Sequence, residues 1–136
     1  MIDSFDITIQ KTKNSKLKDF DPSNLKFGQT FSDHMFVADY KDGEWTDLRI
    51  IPFDDFSLSP ANSALHYGQS IFEGMKAFKN QDGEILLFRP EMNARRFNNS
   101  AERMCMAEVP EELFMNAIKQ LLKVDEDWIP DTPGSS

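Results

Sequence analysis

The chain has little cysteine and no long apolar run. Its single cysteine, Cys105, cannot form a disulfide within the chain, so a reducing compartment is the default. No apolar run approaches the roughly 18 residues that would span a bilayer, and residues 1–8 lack the basic start of a secretory signal. These absences favour a cytoplasmic protein without a membrane partner. Because Cys105 lies between two methionines, we interpret it as a core residue and not as a nucleophile.

Positive charge and histidine are also scarce. The 136 residues include 15 lysines and arginines against 23 acidic residues, which gives a net charge of -8. A nucleic-acid binder needs a positive surface, so general nucleic-acid binding is excluded. The two histidines, His34 and His66, have no cysteine or histidine at metal-ligand spacing, and no metal site is expected. One basic cluster is interpreted as a solvated loop, and it consists of Lys11, Lys13, Lys16 and Lys18.

The sequence does contain clear strand signals. Apolar and polar residues alternate from Phe5 to Ile9, which is the period of a half-buried strand. Asp-Gly pairs, which favour tight hairpin turns, occur at positions 42–43 and 82–83. They are flanked by strand-like runs, His34 to Tyr40 with Trp45 to Ile51, and Met75 to Lys79 with Ile85 to Arg89. Two such hairpins predict a mainly antiparallel sheet that contains both of them.

Two helices are predicted after the second hairpin. Pro90 and Pro110 each precede acidic residues, which is the order preferred at a helix N-terminus. Apolar residues then recur at helical spacing, as Ala94, Phe97, Ala101 and Met104 in the first helix and as Phe114, Ala117, Ile118, Leu121 and Leu122 in the second. Strands followed by helices indicate an α+β fold in which the hairpins pack against two or more helices.

The most unusual stretch is SALHYGQSIFEGMKAF, from Ser63 to Phe78. Gly68 and Gly74 permit tight turns or a close approach of the backbone to a ligand. Tyr67 and Phe72 could wall a pocket or lie in the core. Taken by itself, the stretch favours the core interpretation for both aromatic residues.

The order of these residues resembles the signature of the branched-chain amino acid aminotransferases, which are fold-type IV pyridoxal phosphate enzymes. Further blocks are similar to the same family, namely FGQTFSDHMF, LSPANSALHYG, LFRPEMNARRFNNSAERM and LLKVDEDWIP. Details such as DHM and KAF favour this branch over the D-amino acid aminotransferases and the aminodeoxychorismate lyases. The similarity runs from about Phe27 to Pro130.

The resemblance implies a domain organisation. Family members have a small N-terminal and a larger C-terminal domain with the cofactor between them. Residues 1–26 would then hold the first strand and the lysine-rich connection, and residues 27–130 most of the small domain, which is incomplete at its C-terminal end. Residues 131–136 are interpreted as a linker or truncated loop. The lysine that bonds to the cofactor would lie beyond Ser136, so we expect no catalytic residue in this chain and no activity from it alone.

The resemblance also implies roles for individual residues. Arg96 would bind the phosphate of pyridoxal 5'-phosphate, because a guanidinium offers paired donors to a phosphate dianion. The neighbouring Arg95 is expected to be solvated. Residues of the substrate pocket would be Tyr67, Phe72, Phe27, Gly74 and Lys76. Lys76 could bind acidic substrate groups or be an exposed strand lysine, and the two interpretations stay open. His66 is expected to orient the Tyr67 turn.

The implied activity is transfer of the amino group of leucine, isoleucine or valine to 2-oxoglutarate, through pyridoxal 5'-phosphate, by a cytoplasmic homodimer. Two alternatives stay open. One is another fold-type IV enzyme with a different substrate. The other is a stand-alone module without enzymatic activity, against which the linker-like end of the chain argues.

Overall fold

The computed structural model describes residues 5–25 and 28–131. Within these ranges the chain forms short and long strands, three α-helices and two 3-10 turns, at Leu17–Asp19 and Glu126–Trp128. In chain order the strands and helices are β1 (Thr8–Ile9), β2 (His34–Lys41), β3 (Glu44–Pro52), α1 (Ser63–Tyr67), β4 (Ala77–Lys79), β5 (Ile85–Leu87), α2 (Pro90–Arg103) and α3 (Glu111–Val124). The α+β class predicted from the sequence is confirmed. No helix in the described ranges is both long enough and apolar enough to cross a membrane.

The first hairpin forms as the Asp-Gly pair predicts. Asp42 and Gly43 have φ values of 53° and 90°, which is the conformation of a two-residue turn that matches the twist of antiparallel strands. Strand β3 is central in a three-stranded sheet, antiparallel to β2 and parallel to β1. This register fully buries Ile50, which pairs with Phe36 of β2 and Ile9 of β1. The alternating start of the chain therefore adds an edge strand to the first hairpin.

The second hairpin forms a separate two-stranded sheet of β4 and β5. The prediction that one sheet contains both hairpins is therefore wrong. The strands of this hairpin have three residues each, so they offer few ladder hydrogen bonds to a third strand. The hairpin is instead held on the helical side of the molecule, where Lys79 donates a hydrogen bond of 2.9 Å to the carbonyl oxygen of Glu126, just after α3.

The two long helices begin and pack as their sequences predict. Pro90 is the first residue of α2, and Pro110 caps α3. The predicted face of α2 buries Ala94 and Ala101, and the face of α3 buries Ala117 together with Leu113, which the apolar stripe had omitted. Between the helices, the rings of Phe97 and Phe114 lie with centroids 5.6 Å apart.

The end of α2 differs from the prediction at two neighbouring residues. The helix ends at Arg103, so Met104 belongs to its cap and is exposed. Cys105 follows with a φ of 53°, and its side chain is also exposed. The core interpretation of Cys105 is wrong, because a residue in the turn that leaves a helix does not share the buried face of that helix.

A buried polar contact joins the start of β2 to the end of α3. The carboxylate of Asp125 accepts hydrogen bonds from the backbone N–H of His34, at 3.0 Å, and from its ring nitrogen Nδ1, at 2.6 Å. The other ring nitrogen, Nε2, accepts the backbone N–H of Thr12 at 2.9 Å. The proton of a neutral ring therefore lies on Nδ1. One histidine thus connects the N-terminal segment, the three-stranded sheet and the helical layer.

Candidate functional site

The signature stretch begins with a short helix, α1, whose ends are both capped. The Asn62 side chain accepts the backbone N–H of Ala64 at 2.8 Å, as an N-cap residue does. Gly68 closes the helix with a φ of 62°, a conformation that favours glycine. The ring nitrogen Nε2 of His66 is hydrogen-bonded to the carbonyl oxygen of Pro60. His66 therefore connects the turn that carries Tyr67 to the preceding loop.

The two aromatic residues of the stretch lie on the surface. Tyr67 is 86% exposed and Phe72 is 91% exposed. The core interpretation, which the stretch by itself favoured, is wrong for both. Tyr67 ends α1, and Phe72 lies in the irregular segment between α1 and β4. No other element within the described residues covers either ring. Large apolar side chains in this position are available to contact a ligand or another protein surface.

Two of the remaining predicted pocket residues, Gly74 and Lys76, lie in the same irregular segment. Lys76 is exposed and borders a cavity of about 610 Å³, which Phe31, Asp125 and Trp128 also line. Gly74 borders a second cavity, of about 430 Å³, over the two long helices. A Cβ at Gly74 would meet no heavy atom of the described residues within 4 Å, apart from its two neighbours in the chain, so packing within these residues does not require a glycine there. Phe27 lies outside the described residues.

Arg96 forms a two-point ion pair with Glu73, the glutamate between Phe72 and Gly74. Its Nε donates a hydrogen bond of 2.7 Å to Oε2 of Glu73, and its NH2 nitrogen donates to Oε1. The Arg96 side chain is 68% exposed, whereas the Glu73 side chain is only 7% exposed. The pair joins the middle of α2 to the signature stretch, so it brings a predicted cofactor residue beside two predicted pocket residues.

Two further donors hold the Glu73 carboxylate. Its Oε1 accepts the backbone N–H of Gly74 at 2.8 Å and the side-chain amide of Asn93 at 3.2 Å. The same Asn93 amide donates to the carbonyl oxygen of Gly74 at 3.0 Å. Asn93 and Arg96 are three residues apart and therefore lie on the same face of α2. That face fixes the segment Glu73–Gly74 through both its backbone and its side chain.

The hydrogen bonds shift the acidity of both partners. The Arg96 guanidinium lowers the pKa of Glu73 from 4.5 to about 2, against the opposing effect of burial, and the Gly74 and Asn93 donors act in the same direction as Arg96. The hydrogen bond and the charge of Glu73 in turn raise the pKa of Arg96. Both side chains are therefore charged at neutral pH, and the ion pair is intact there.

Arg95, the preceding residue of α2, has a different environment. Its Nε lies 3.4 Å from Oε1 of Glu111, and both side chains are about half exposed. This single contact between two solvated side chains is the kind of surface ion pair that contributes little to stability. Arg95 and Arg96 are therefore adjacent arginines of which one has a buried carboxylate partner and the other does not.

Sequence reasoning missed Glu73 and Asn93. Glu73 is 23 residues from Arg96 in the sequence, so no local period links the two. A signal was nevertheless present, because Glu73 lies in the apolar run IFEGM, and a glutamate that is buried there needs a charged or hydrogen-bonding partner. The described residues contain no group of three or more histidine, cysteine, aspartate or glutamate side chains suited to a metal ion.

No protein-family model matches the chain. Individual known proteins do match it, and the three described here are named as branched-chain-amino-acid aminotransferases or transaminases. The chain is 47% identical over 131 residues to branched-chain-amino-acid aminotransferase 2 of Bacillus subtilis, and the matched residues make up 96% of this chain and 36% of that protein. It is 49% identical over 117 residues to branched-chain-amino-acid transaminase 1 of the same organism, covering 85% of this chain and 33% of the relative.

A relative from another organism gives the same result. The branched-chain-amino-acid aminotransferase of Mycolicibacterium smegmatis is 45% identical over 113 residues, which are 82% of this chain and 31% of the relative. The chain spans about a third of the length of the relatives that it matches. With 45–49% identity to these relatives over most of its length, the chain belongs to the branched-chain-amino-acid aminotransferase family.

Proposed function

We propose that the protein to which this chain belongs transfers the amino group of leucine, isoleucine or valine to 2-oxoglutarate with pyridoxal 5'-phosphate as cofactor. The observation that carries this proposal is the 45–49% identity to relatives that are named for branched-chain amino acids. In this proposal residues 27–130 are most of the small domain, the whole enzyme is a cytoplasmic homodimer, and neither nucleic acid nor a membrane is a partner.

Arg96 is the residue that would hold the cofactor phosphate. A guanidinium has five N–H donors, and only the Nε and NH2 nitrogens of Arg96 donate hydrogen bonds to Glu73. The NH1 nitrogen makes no hydrogen bond to the described part of the chain, and the side chain is largely exposed. The donors that fit a phosphate are therefore available, and the residues present fit the group. Pyridoxal 5'-phosphate, when bound, supplies the electron-accepting ring for amino transfer.

The signature stretch would supply walls of the substrate pocket. Tyr67 and Phe72 present uncovered aromatic rings, and an aliphatic substrate side chain gains roughly 25 cal/mol for each Å² of apolar surface that it buries. Phe27 would add a third aromatic wall, and Gly74 would let the backbone approach the substrate. Lys76, which is exposed beside the 610 Å³ cavity, would attract the second carboxylate of glutamate.

The experiment that tests the proposal uses the complete enzyme that contains this segment. The enzyme is incubated with pyridoxal 5'-phosphate, 2-oxoglutarate and one amino donor, and glutamate formation is followed. We expect transfer from L-leucine, L-isoleucine and L-valine, and little from D-alanine. Transfer from D-alanine without transfer from the branched-chain donors would instead support another fold-type IV enzyme, and no transfer from any donor would contradict an aminotransferase.

A further inference from the structure

Glu73 is a buried carboxylate that the assignments above leave without a role. Its side chain is 7% exposed, and it lies between Phe72 and Gly74, which were both assigned to the substrate pocket. A buried carboxylate is costly unless it is paired and hydrogen-bonded. Here the Gly74 N–H, the Asn93 amide and the Arg96 guanidinium satisfy it. The chain therefore builds a specific site for this carboxylate, and the charge that the site presents outward is that of Arg96.

The geometry of the pair divides the guanidinium into two edges. Glu73 contacts the edge formed by Nε and NH2, with one carboxylate oxygen on each nitrogen. The edge that carries NH1 makes no hydrogen bond to residues of the described ranges. Because a guanidinium is planar, fixing one edge at two points also fixes the direction of the other edge. A long side chain that is 68% exposed would otherwise sample many rotamers.

We propose that Glu73 is a positioning residue that fixes the guanidinium of Arg96 so that its NH1 edge meets the cofactor phosphate. This inference rests on the phosphate-binding role of Arg96 proposed above. Asn93 supports the same arrangement from the preceding turn of α2, because its amide donates hydrogen bonds to both the carboxylate of Glu73 and the carbonyl oxygen of Gly74. The signature stretch and α2 thereby become one unit, and a displacement of either changes where the phosphate is bound.

A competing possibility has the opposite consequence. In that possibility Glu73 occupies the anion site of Arg96 and offsets its positive charge, so the carboxylate would compete with phosphate. Removing that charge would then tighten cofactor binding. If Glu73 positions Arg96, removing the charge loosens the guanidinium and weakens cofactor binding. The direction of the change therefore separates the two possibilities.

The test is a double-mutant cycle in the complete enzyme, with Glu73→Gln, Arg96→Ala and the combined variant. Glutamine keeps the size of Glu73 and one oxygen for Gly74 and Asn93. The measurements are the dissociation constant of pyridoxal 5'-phosphate, from its absorbance on addition to the apoenzyme, and the phosphorus NMR shift of the bound phosphate. Glu111→Gln, which removes the carboxylate beside Arg95, is the matched control. Glu73→Asp serves as a second variant, should the glutamine variant not fold.

We expect Glu73→Gln to weaken cofactor binding roughly tenfold, to move the phosphorus shift, and to have no further effect once Arg96 is alanine. We expect Glu111→Gln to leave both measurements unchanged. An equal loss in both Arg96 backgrounds, or unchanged or tighter binding in Glu73→Gln, would overturn the positioning role while leaving the phosphate role of Arg96 intact. Unchanged cofactor affinity in Arg96→Ala alone would instead refute the phosphate role, and the positioning role with it.

Discussion

At the scale of single residues, two largely buried carboxylates connect separate parts of the fold. Glu73 is held by Arg96, Asn93 and the backbone of Gly74. Asp125 is held by the ring and the backbone of His34. Each joins segments that are distant in the sequence. Because such groups cost free energy unless they are paired, both are sensitive points for stability.

The Glu73–Arg96 pair predicts a pH-dependent stability. The pKa of Glu73 is lowered from 4.5 to about 2 in the folded chain, so the unfolded chain binds its proton first as the pH falls. The pair therefore stabilises the fold above pH 4.5, and this contribution is lost as the pH falls through about 2. We expect the difference in midpoint of urea unfolding between the unchanged chain and Glu73→Gln to be largest at pH 6–7 and to shrink below pH 4.5. A difference that is constant from pH 7 to pH 2 would contradict the ion pair.

The His34–Asp125 contact predicts that the conservative substitution Asp125→Asn strongly lowers the free energy of unfolding. Asp125→Asn removes the charge that accepts the Nδ1–H of His34, and hydrogen bonds to charged groups contribute about 1.5–3 kcal/mol. We expect a decrease of this size in the free energy of unfolding, measured by urea denaturation. Asp127→Asn, which changes an exposed aspartate two residues later, is the control and should have little effect. Equal effects of the two substitutions would show that the contact does not form.

At the scale of elements, local signals predicted most of the fold. The Asp-Gly turns predicted both hairpins, and the prolines at positions 90 and 110 predicted the starts of the long helices, because turn conformation and helix capping depend on neighbouring residues. The partition of the hairpins into two sheets was not predictable, since it depends on contacts such as that of Lys79 with Glu126. The short helix α1 was missed because its five residues are too few for an apolar period.

The packing of α2 against α3 predicts that Leu113 contributes more to the free energy of unfolding than Met92 does. Leu113 of α3 is almost fully buried, whereas Met92 of α2 is exposed, and α3 contacts both α2 and β2. Leu113→Ala removes buried methyl groups and leaves a cavity, which typically costs about 2–5 kcal/mol. We expect that decrease in the free energy of unfolding, and a much smaller one for Met92→Ala. Comparable effects of the two substitutions in thermal or urea unfolding would mean that the helices do not pack as described.

At the scale of the whole molecule, the proposed function makes this chain one part of a larger site. The resemblance predicts roles for Arg96, Tyr67 and Phe72, because a family motif fixes positions in the sequence. It could not foresee that the two aromatic rings lie uncovered, or that Arg96 shares its guanidinium with Glu73, because both depend on three-dimensional contacts. The chain matches about a third of its relatives' length, so under the proposed function most of the surroundings of the cofactor would come from segments outside it.

The proposed division of the site predicts that the 136-residue chain alone does not catalyse amino transfer. The resemblance implies that the lysine that bonds to the cofactor is not among the lysines of this chain, and Lys76 is the lysine that we predict in the substrate pocket. We expect scattered, substoichiometric labelling when the chain is incubated with pyridoxal 5'-phosphate, reduced with borohydride and analysed by mass spectrometry. A single stoichiometric adduct on Lys76, together with transfer from leucine to 2-oxoglutarate, would contradict this division.

The central claim is that Arg96 of this segment binds the cofactor phosphate of an aminotransferase. A comparison with Arg95 tests this claim most directly. The two arginines are adjacent on α2, but only Arg96 is fixed against the signature stretch. The measurement is the affinity of the complete enzyme for pyridoxal 5'-phosphate by equilibrium dialysis, in Arg96→Ala and Arg95→Ala. We predict a loss of roughly tenfold or more in Arg96→Ala and almost none in Arg95→Ala. Equal affinities in the two variants would contradict the claim.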